Sequence, residues 1–218
     1  MLIVTTLGFT ESFALRGLLK RGIKEKDKVI VVRPSDEVER AVQALEALAM
    51  TLEKLGYQRP IEVKVDVGDF EGSVAKIAAR LQELFDGEGI YANLSGGMRL
   101  LILEVLLGII HSGIKAEIEV FSEDGKVSVT FTPSVFQRPK VRRDELEVLW
   151  AFSRTFSVTE ASQLISYPKS NVSRKLKNLR DMGLIEGDKL TTLGKIYLKY
   201  YELTRKAQAF RPQEEEQG

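Results

Sequence analysis

The sequence predicts an α/β fold: a Rossmann-like, mostly parallel six-stranded sheet with a C-terminal hairpin, followed by an all-α, small-wing winged helix-turn-helix domain. Three observations predict it. Apolar strand-like runs alternate with helix-period segments through residues 1–115. Two short β-rich runs then flank "SEDGK", whose Asp124-Gly125 pair is a hairpin turn signal. Beyond residue 143 the pattern changes to short helices and a Gly-Asp turn.

"LIVTT" (2–6) reads as a first strand, and 12–21 as a helix stopped by Gly22. "KVIVVRP" (28–34) is apolar without alternation, as a strand covered on both faces requires. Ser35, followed by Asp36 and Glu37, is the expected N-cap of a helix running to about Leu55, with Gly56 closing it. "IEVKVDV" (61–67) alternates as a third strand. Residues 70–85 form a helix with Val74, Ile77, Ala78, Leu81 and Leu84 on one face. "GIYANL" is a fourth strand, and 97–111 an apolar helix ended by Gly113 and expected to be buried. "AEIEVF" and "VSVTFT" complete the hairpin. Repeated βα units demand right-handed crossovers and helices on both faces.

Composition sets outer limits. The chain has 218 residues, no cysteine and one histidine. Disulfides, thiolate metal sites and multi-histidine centres are therefore excluded, and no metal or cofactor is expected. No signal peptide is visible, and the apolar run 100–110 contains Glu104 and falls far short of the about 20 residues that span a bilayer. The expectation is a cytoplasmic protein without membrane contact. Charge divides unevenly: residues 1–139 hold 17 Lys+Arg against 20 Asp+Glu, residues 140–218 hold 15 against 11. An acidic first part joined to a basic second part suggests two tasks, the basic one facing a polyanion.

Ligands of doubly wound sheets bind beyond the carboxyl ends of the strands, where strand order reverses. In the usual order that point lies between strands 1 and 4, which are followed by "TLGFTES" and "NLSGGMR". Each turn leads into a helix whose free N–H groups and dipole favour an anion. Gly96 and Gly97 allow close backbone approach to a phosphate, and Arg99 adds charge. Thr10, Ser12 and Ser95 either donate hydrogen bonds to a ligand or cap their helices. Ser95-Gly96-Gly97 is either part of a nucleotide or phosphate site or only a tight turn.

Neither a GxGxxG fingerprint nor a P-loop lysine is present, and Arg33 ends strand 2 where a nicotinamide site wants an acid. "NLSGG" is not a hydrolase elbow, and His111 lies at the far end of its helix, suited to its carbonyls. No catalytic residue is expected.

Residues 144–156, 157–165 and 170–182 read as three helices, the third with Val172, Leu176 and Leu179 inward. "LIEGDKLT" reads as a two-strand wing, and a last helix follows from Thr191 or Thr192. The third helix presents Ser170, Asn171, Ser173, Arg174 and Lys177, groups that suit base edges and phosphates. Lys169, Lys175 and Arg180 are placed to hold a DNA backbone. The bland alternative is a solvated face of a dimerisation module.

The "LGFTES" and "NLSGGMR" turns, joined to a winged helix, resemble the CRISPR-associated CARF-domain transcriptional regulators of archaea, over the chain up to about Phe210. The resemblance implies a homodimer whose paired turns form one symmetric pocket for a cyclic oligoadenylate, most simply cyclic tetra-adenylate. It implies double-stranded DNA targets in CRISPR arrays or CRISPR-associated promoters. Carried over by motif position, Gly8, Phe9, Thr10, Asn93, Ser95, Gly96, Gly97, Met98 and Arg99 would line the pocket. The expected domains are a sensing domain (1–133), a linker (134–143), a winged helix-turn-helix domain (144–210) and a disordered acidic tail (211–218). Two alternatives stay open: a CARF ring nuclease that cleaves its ligand with donors from Ser12, Ser95 or Arg99, and a regulator responding to an unrelated metabolite.

Overall fold

The computed structural model describes residues 1–209. In chain order the elements are β1 (Leu2–Thr6), α1 (Ser12–Arg21), β2 (Lys28–Pro34), α2 (Glu39–Lys54), β3 (Ile61–Val65), α3 (Phe70–Leu84), β4 (Ile90–Asn93), α4 (Arg99–Ser112), β5 (Ala116–Phe121) and β6 (Ser128–Phe131). A 3₁₀ turn at Pro133–Phe136 precedes α5 (Arg143–Thr155), α6 (Val158–Leu164), α7 (Lys169–Asp181), β7 (Ile185–Glu186), β8 (Lys189–Leu190) and α8 (Thr192–Ala209). Two compact units result, Met1–Pro133 and the chain from Ser134 onward. The tail expected at 211–218 lies outside the described residues.

The first unit is a six-stranded sheet in the order β3-β2-β1-β4-β5-β6. All neighbours are parallel except β5 and β6, which form the expected antiparallel edge. Alternate residues of β1 and β2 enter opposite cores. Leu2, Val4, Ile30 and Val32 meet Ile77 and Leu81 of α3 and Leu101, Val105 and Ile109 of α4. Ile3, Val29 and Val31 meet Ala14 and Leu18 of α1 and Ala44, Leu48 and Leu52 of α2. Helices on both faces explain why these strands are apolar throughout.

Three expectations need correction. Helix α2 opens at Glu39, with Val38 and not Ser35 at its N-cap. The Ser35 N–H donates to Val65 O at 2.7 Å, and the buried Arg33 donates to the carbonyls of Pro34 (3.1 Å) and Asp36 (3.4 Å). These bonds hold 34–38 out of the helix. Helix α4 opens at Arg99, because Gly97 stands at φ +93° and stays in the turn. Nor is α4 buried all round: Leu101, Val105 and Ile109 face the core, while Leu100 and Leu103 are exposed.

In the second unit α5, α6 and α7 close over Leu149, Phe152, Ala161, Val172, Leu176 and Leu179, with Leu184, Ile185 and Leu193 sealing the side toward the β7–β8 wing. Ser157 caps α6 by accepting from Glu160 N (3.4 Å), and the Thr191 hydroxyl caps α8 by accepting from Gly194 N (3.1 Å). Among the described residues no helix is long and apolar enough to cross a membrane.

Candidate functional site

The order of the sheet puts β1 beside β4, with β2 and β3 on one side and β5 and β6 on the other. Strand order therefore reverses between β1 and β4, and the loops leaving their carboxyl ends meet. The Thr6 hydroxyl donates to Gly96 O. A Cβ on Gly8 would lie 2.9 Å from Gly97 N, and one on Gly96 would lie 3.0 Å from Thr6 O. At these distances only glycine lets the two backbones touch.

Asn93, at the end of β4, is buried and hydrogen-bonded through both ends of its amide. Its Nδ2 donates to Phe13 O at 3.0 Å, and its Oδ1 accepts from Ser95 N at 3.1 Å. The side chain thus braces the first turn of α1 against the glycine turn. Room for it comes from Gly17, where an added Cβ would fall 1.8 Å from Asn93 Nδ2. Sequence reading missed Gly17, although an isolated glycine inside a helical pattern signals a close approach. Ser95 Oγ accepts from Phe121 N at 2.9 Å and so ties the turn to the end of β5. Thr10 and Ser12 bond each other (2.7 Å), and Thr10 Oγ1 also accepts from Ser12 N (3.2 Å). None of these hydroxyls caps its helix: neither α1 nor α4 has a side-chain hydrogen bond at its N-cap.

What the crevice exposes is a different set. Phe9, Met98 and Arg99 stand out from the surface. Helix α4 begins without a side-chain cap and without an acid in its first turn. Its first residue is an arginine, a cation at the positive end of a helix dipole. The dipole at such an end favours an anion over a cation. Helix α1 differs, since Glu11 stands at its N-cap position.

Glu104, one turn further along α4, is fully buried, and neither carboxylate oxygen has a partner. Burial pushes its pKa up, and the charges of Asp66 and Asp69 push the same way. Sealed from solvent, it offers no base to a molecule lying in the crevice.

The exposed side of α7 carries Lys169, Ser170, Ser173, Arg174 and Lys177, with Asn171 half-buried and accepting from Arg174 Nη2 at 3.2 Å. No acid lies in the first turn of α7. Lys175 does not join this face. It is buried and ion-paired with Asp144 of α5, whose carboxyl the lysine holds below its ordinary range. The expectation that Lys175 holds a DNA backbone is therefore withdrawn. Arg180 Nε donates to Gly187 O (3.3 Å), fastening α7 to the wing turn.

A family model for the Csa3 CRISPR-associated Rossmann-like domain matches residues 1–132. The chain belongs to the Csa3 family. The matched span ends one residue before the first compact unit does. Among curated proteins, the "CRISPR locus-related putative DNA-binding protein Csa3" of Saccharolobus solfataricus is 28% identical over 185 residues, which is 83% of this chain and 77% of that protein.

Two solved structures are also similar. One is Can2 from Sulfobacillus thermosulfidooxidans in complex with cyclic tetra-adenylate (TM-score 0.46, 15% identity, 97% of this chain and 69% of that one). The other is Enterococcus italicus Csm6 bound to cyclic hexa-2'-fluoro-hexa-dAMP (TM-score 0.45, 13% identity, 83% of this chain and 53% of that one). Likenesses at this level say nothing about what the present chain binds.

Within the Csa3 domain, the residues carried over from the motifs sort by what they touch. Gly8, Gly96 and Gly97 make the turn possible, Asn93 and Ser95 hold it in place, and Phe9, Thr10, Met98 and Arg99 face outward.

Proposed function

We propose that this Csa3 protein is a homodimeric DNA-binding regulator that takes an anionic cyclic oligoadenylate, cyclic tetra-adenylate first, where the crevices of two copies adjoin. The observation that carries the reading is the start of α4. No side chain caps it, its first turn holds no acid, and Arg99 adds positive charge. A phosphodiester supplies what that end lacks. The same helix supports the dimer: Leu100 (40% exposed) and Leu103 (51%), three residues apart, leave an apolar stripe on the outer side of α4. A helix apolar on every side is covered on every side. A ring with two-fold symmetry suits a pocket made by two identical halves.

Calorimetric titration tests the ligand. Cyclic tetra-adenylate is expected to bind one ring per two chains and to be recovered intact, while NAD gives no heat. No heat with any cyclic oligoadenylate would sink the sensor half of the proposal. Gly97→Ala provides a local check. The added methyl sits on a residue at φ +93°, 3.2 Å from Leu7 O. Strain of roughly 1–2 kcal/mol in the turn should weaken ligand binding by about tenfold.

For DNA, the exposed polar face of α7 supports major-groove reading and the basic balance of the second unit supports backbone contact. Arg174→Ala combined with Lys177→Ala is expected to weaken duplex binding by about 10–100-fold and to flatten the log K against log salt slope by up to about 2. An unchanged slope in fluorescence anisotropy would remove α7 from the interface.

A further inference from the structure

In the second unit a groove of about 790 Å³ runs between the segment preceding α5 and helix α8, with Arg138 and Lys140 on one wall and Ile196 and Tyr200 on the other. A second hollow of about 310 Å³ adjoins it, sharing Tyr200 and reaching Thr204 and Arg205. Among the described residues no carboxylate lines either hollow. Glu202 of α8 is held by Arg154 (3.6 Å) and Lys199 (3.4 Å) instead. The floor is apolar and aromatic. Ile196 (52% exposed), Tyr200 (60%) and Leu203 (68%) recur at i, i+4, i+7 along α8, so one helical stripe lies uncovered.

The wall opposite α8 is tied down. The Pro139 carbonyl accepts from the Tyr197 hydroxyl at 3.0 Å and from Val141 N at 3.1 Å. The proline ring also favours an extended backbone at Arg138. Two exposed cations, Arg138 and Lys140, thus flank an anchored residue. Arg205 is set differently, with its guanidinium 4.9 Å from the centroid of Trp150.

Three cations beside an uncovered tyrosine ask for a polyanion that also carries flat apolar rings. A second copy of the same face does not fit, because it brings the same three cations. Duplex DNA does not fit either, since its base faces are stacked inside the helix, and none of the exposed α7 residues lines the groove. An acidic peptide meets the cations, but its charged side chains bring no ring to the tyrosine. A single nucleic-acid strand offers both parts, phosphates for the cations and base faces for Tyr200 and the aliphatic side chains. Nothing in the lining calls for a ribose: the Tyr197 hydroxyl donates to Pro139 O and the Thr204 hydroxyl to Tyr200 O (3.0 Å). A DNA strand therefore makes every contact that the groove has to give.

We propose that this groove is a binding site for single-stranded DNA, separate from the α7 face, in which Arg138, Lys140 and Arg205 take phosphates and Tyr200 stacks on a base. It stands whether or not α7 reads a duplex.

Fluorescence anisotropy of the full chain with a labelled oligothymidylate of about 12 nucleotides tests the site. The wild type is expected to bind, and Tyr200→Ala to weaken binding by about fivefold or more, the low end for one stacked base. Tyr200→Phe keeps the ring and should bind as the wild type does. Arg138→Ala with Lys140→Ala should flatten the log K against log salt slope by about 1.4, two phosphates at about 0.7 each. Trp150 is the one tryptophan of the chain, so its emission reports on Arg205 beside it and should change when the strand binds. Arg174→Ala with Lys177→Ala should weaken duplex binding alone and leave strand binding as it was, so the two DNA readings fail separately. No binding by the wild type, binding indifferent to Tyr200→Ala and to the loss of both cations, or strand binding lost in the α7 variant would overturn the proposal. Tighter binding of an oligouridylate of the same length would assign the groove to RNA. Equal, Tyr200-dependent binding of polyglutamate would assign it to an acidic peptide. Either result would overturn it as well.

Discussion

Leu103→Asp is expected to give a folded chain that runs as a monomer and no longer takes up ligand. The side chain is about half exposed in the isolated unit, so an aspartate there finds water and changes the stability of the chain by about 0.5 kcal/mol or less. In a two-fold interface built on the outer side of α4 the situation reverses. Each copy brings its own aspartate into an apolar contact, and symmetry counts the penalty twice. A total of about 4 kcal/mol, modest for two desolvated carboxylates, already lowers the association constant about a thousandfold. Light scattering coupled to gel filtration reads the mass, and the calorimetric titration reads the ligand. A dimer that survives the substitution would place the interface elsewhere. A monomer that still binds one ring per chain would show that a single crevice suffices, against the proposed shared pocket.

Much of the first unit was legible because its signals are local. Continuous apolar or alternating runs marked five of the strands, and Asp124-Gly125 marked the hairpin to the sixth. The meeting of the β1 and β4 loops followed from the general rule of strand order. Features that depend on a distant partner were not legible. Nothing around Asn93 in the chain announces that Gly17 leaves space for it, or that its amide serves Phe13. Helix α2 started late because Val65 on the neighbouring strand, together with the buried Arg33 just ahead, captures the connector.

Lys175 is a different kind of miss. Its position was readable: it follows Val172 by three residues and precedes Leu179 by four, so it lies on the buried stripe. Its charge argued for the surface, and only the partner carboxylate of Asp144, on another helix, reconciles the two. The outer side of α4 shows the converse. Its leucines read as core by composition, and the single chain leaves two of them uncovered.

Glu104→Leu is expected to stabilise the protein at neutral and alkaline pH by about 2–4 kcal/mol, through removal of a buried carboxyl with no hydrogen-bond partner and a gain in apolar contact between α3 and α4. The sign of the pH dependence follows from linkage. Burial, helped by Asp66 and Asp69, raises the folded-state pKa of Glu104 above its ordinary value of 4.5. The folded state therefore binds this proton more tightly than the unfolded chain does. The contribution of the proton to stability is complete below the ordinary carboxyl range and is lost as pH climbs through the raised value. Asp144, Glu145 and Glu119 act in the opposite sense, because their pKa values are lowered and their contribution disappears as pH falls. Urea titrations across pH should thus show the wild type losing stability, relative to Glu104→Leu, as pH rises above the carboxyl range, with the two curves approaching each other in acid. Glu104→Gln separates charge from packing. It keeps the shape and the unmet hydrogen bonds, so it should remove the pH-dependent part of the difference while recovering less stability than leucine does. Parallel pH profiles for wild type and Glu104→Leu would mean that the carboxyl is not held protonated, and that its two oxygens find a partner in solution.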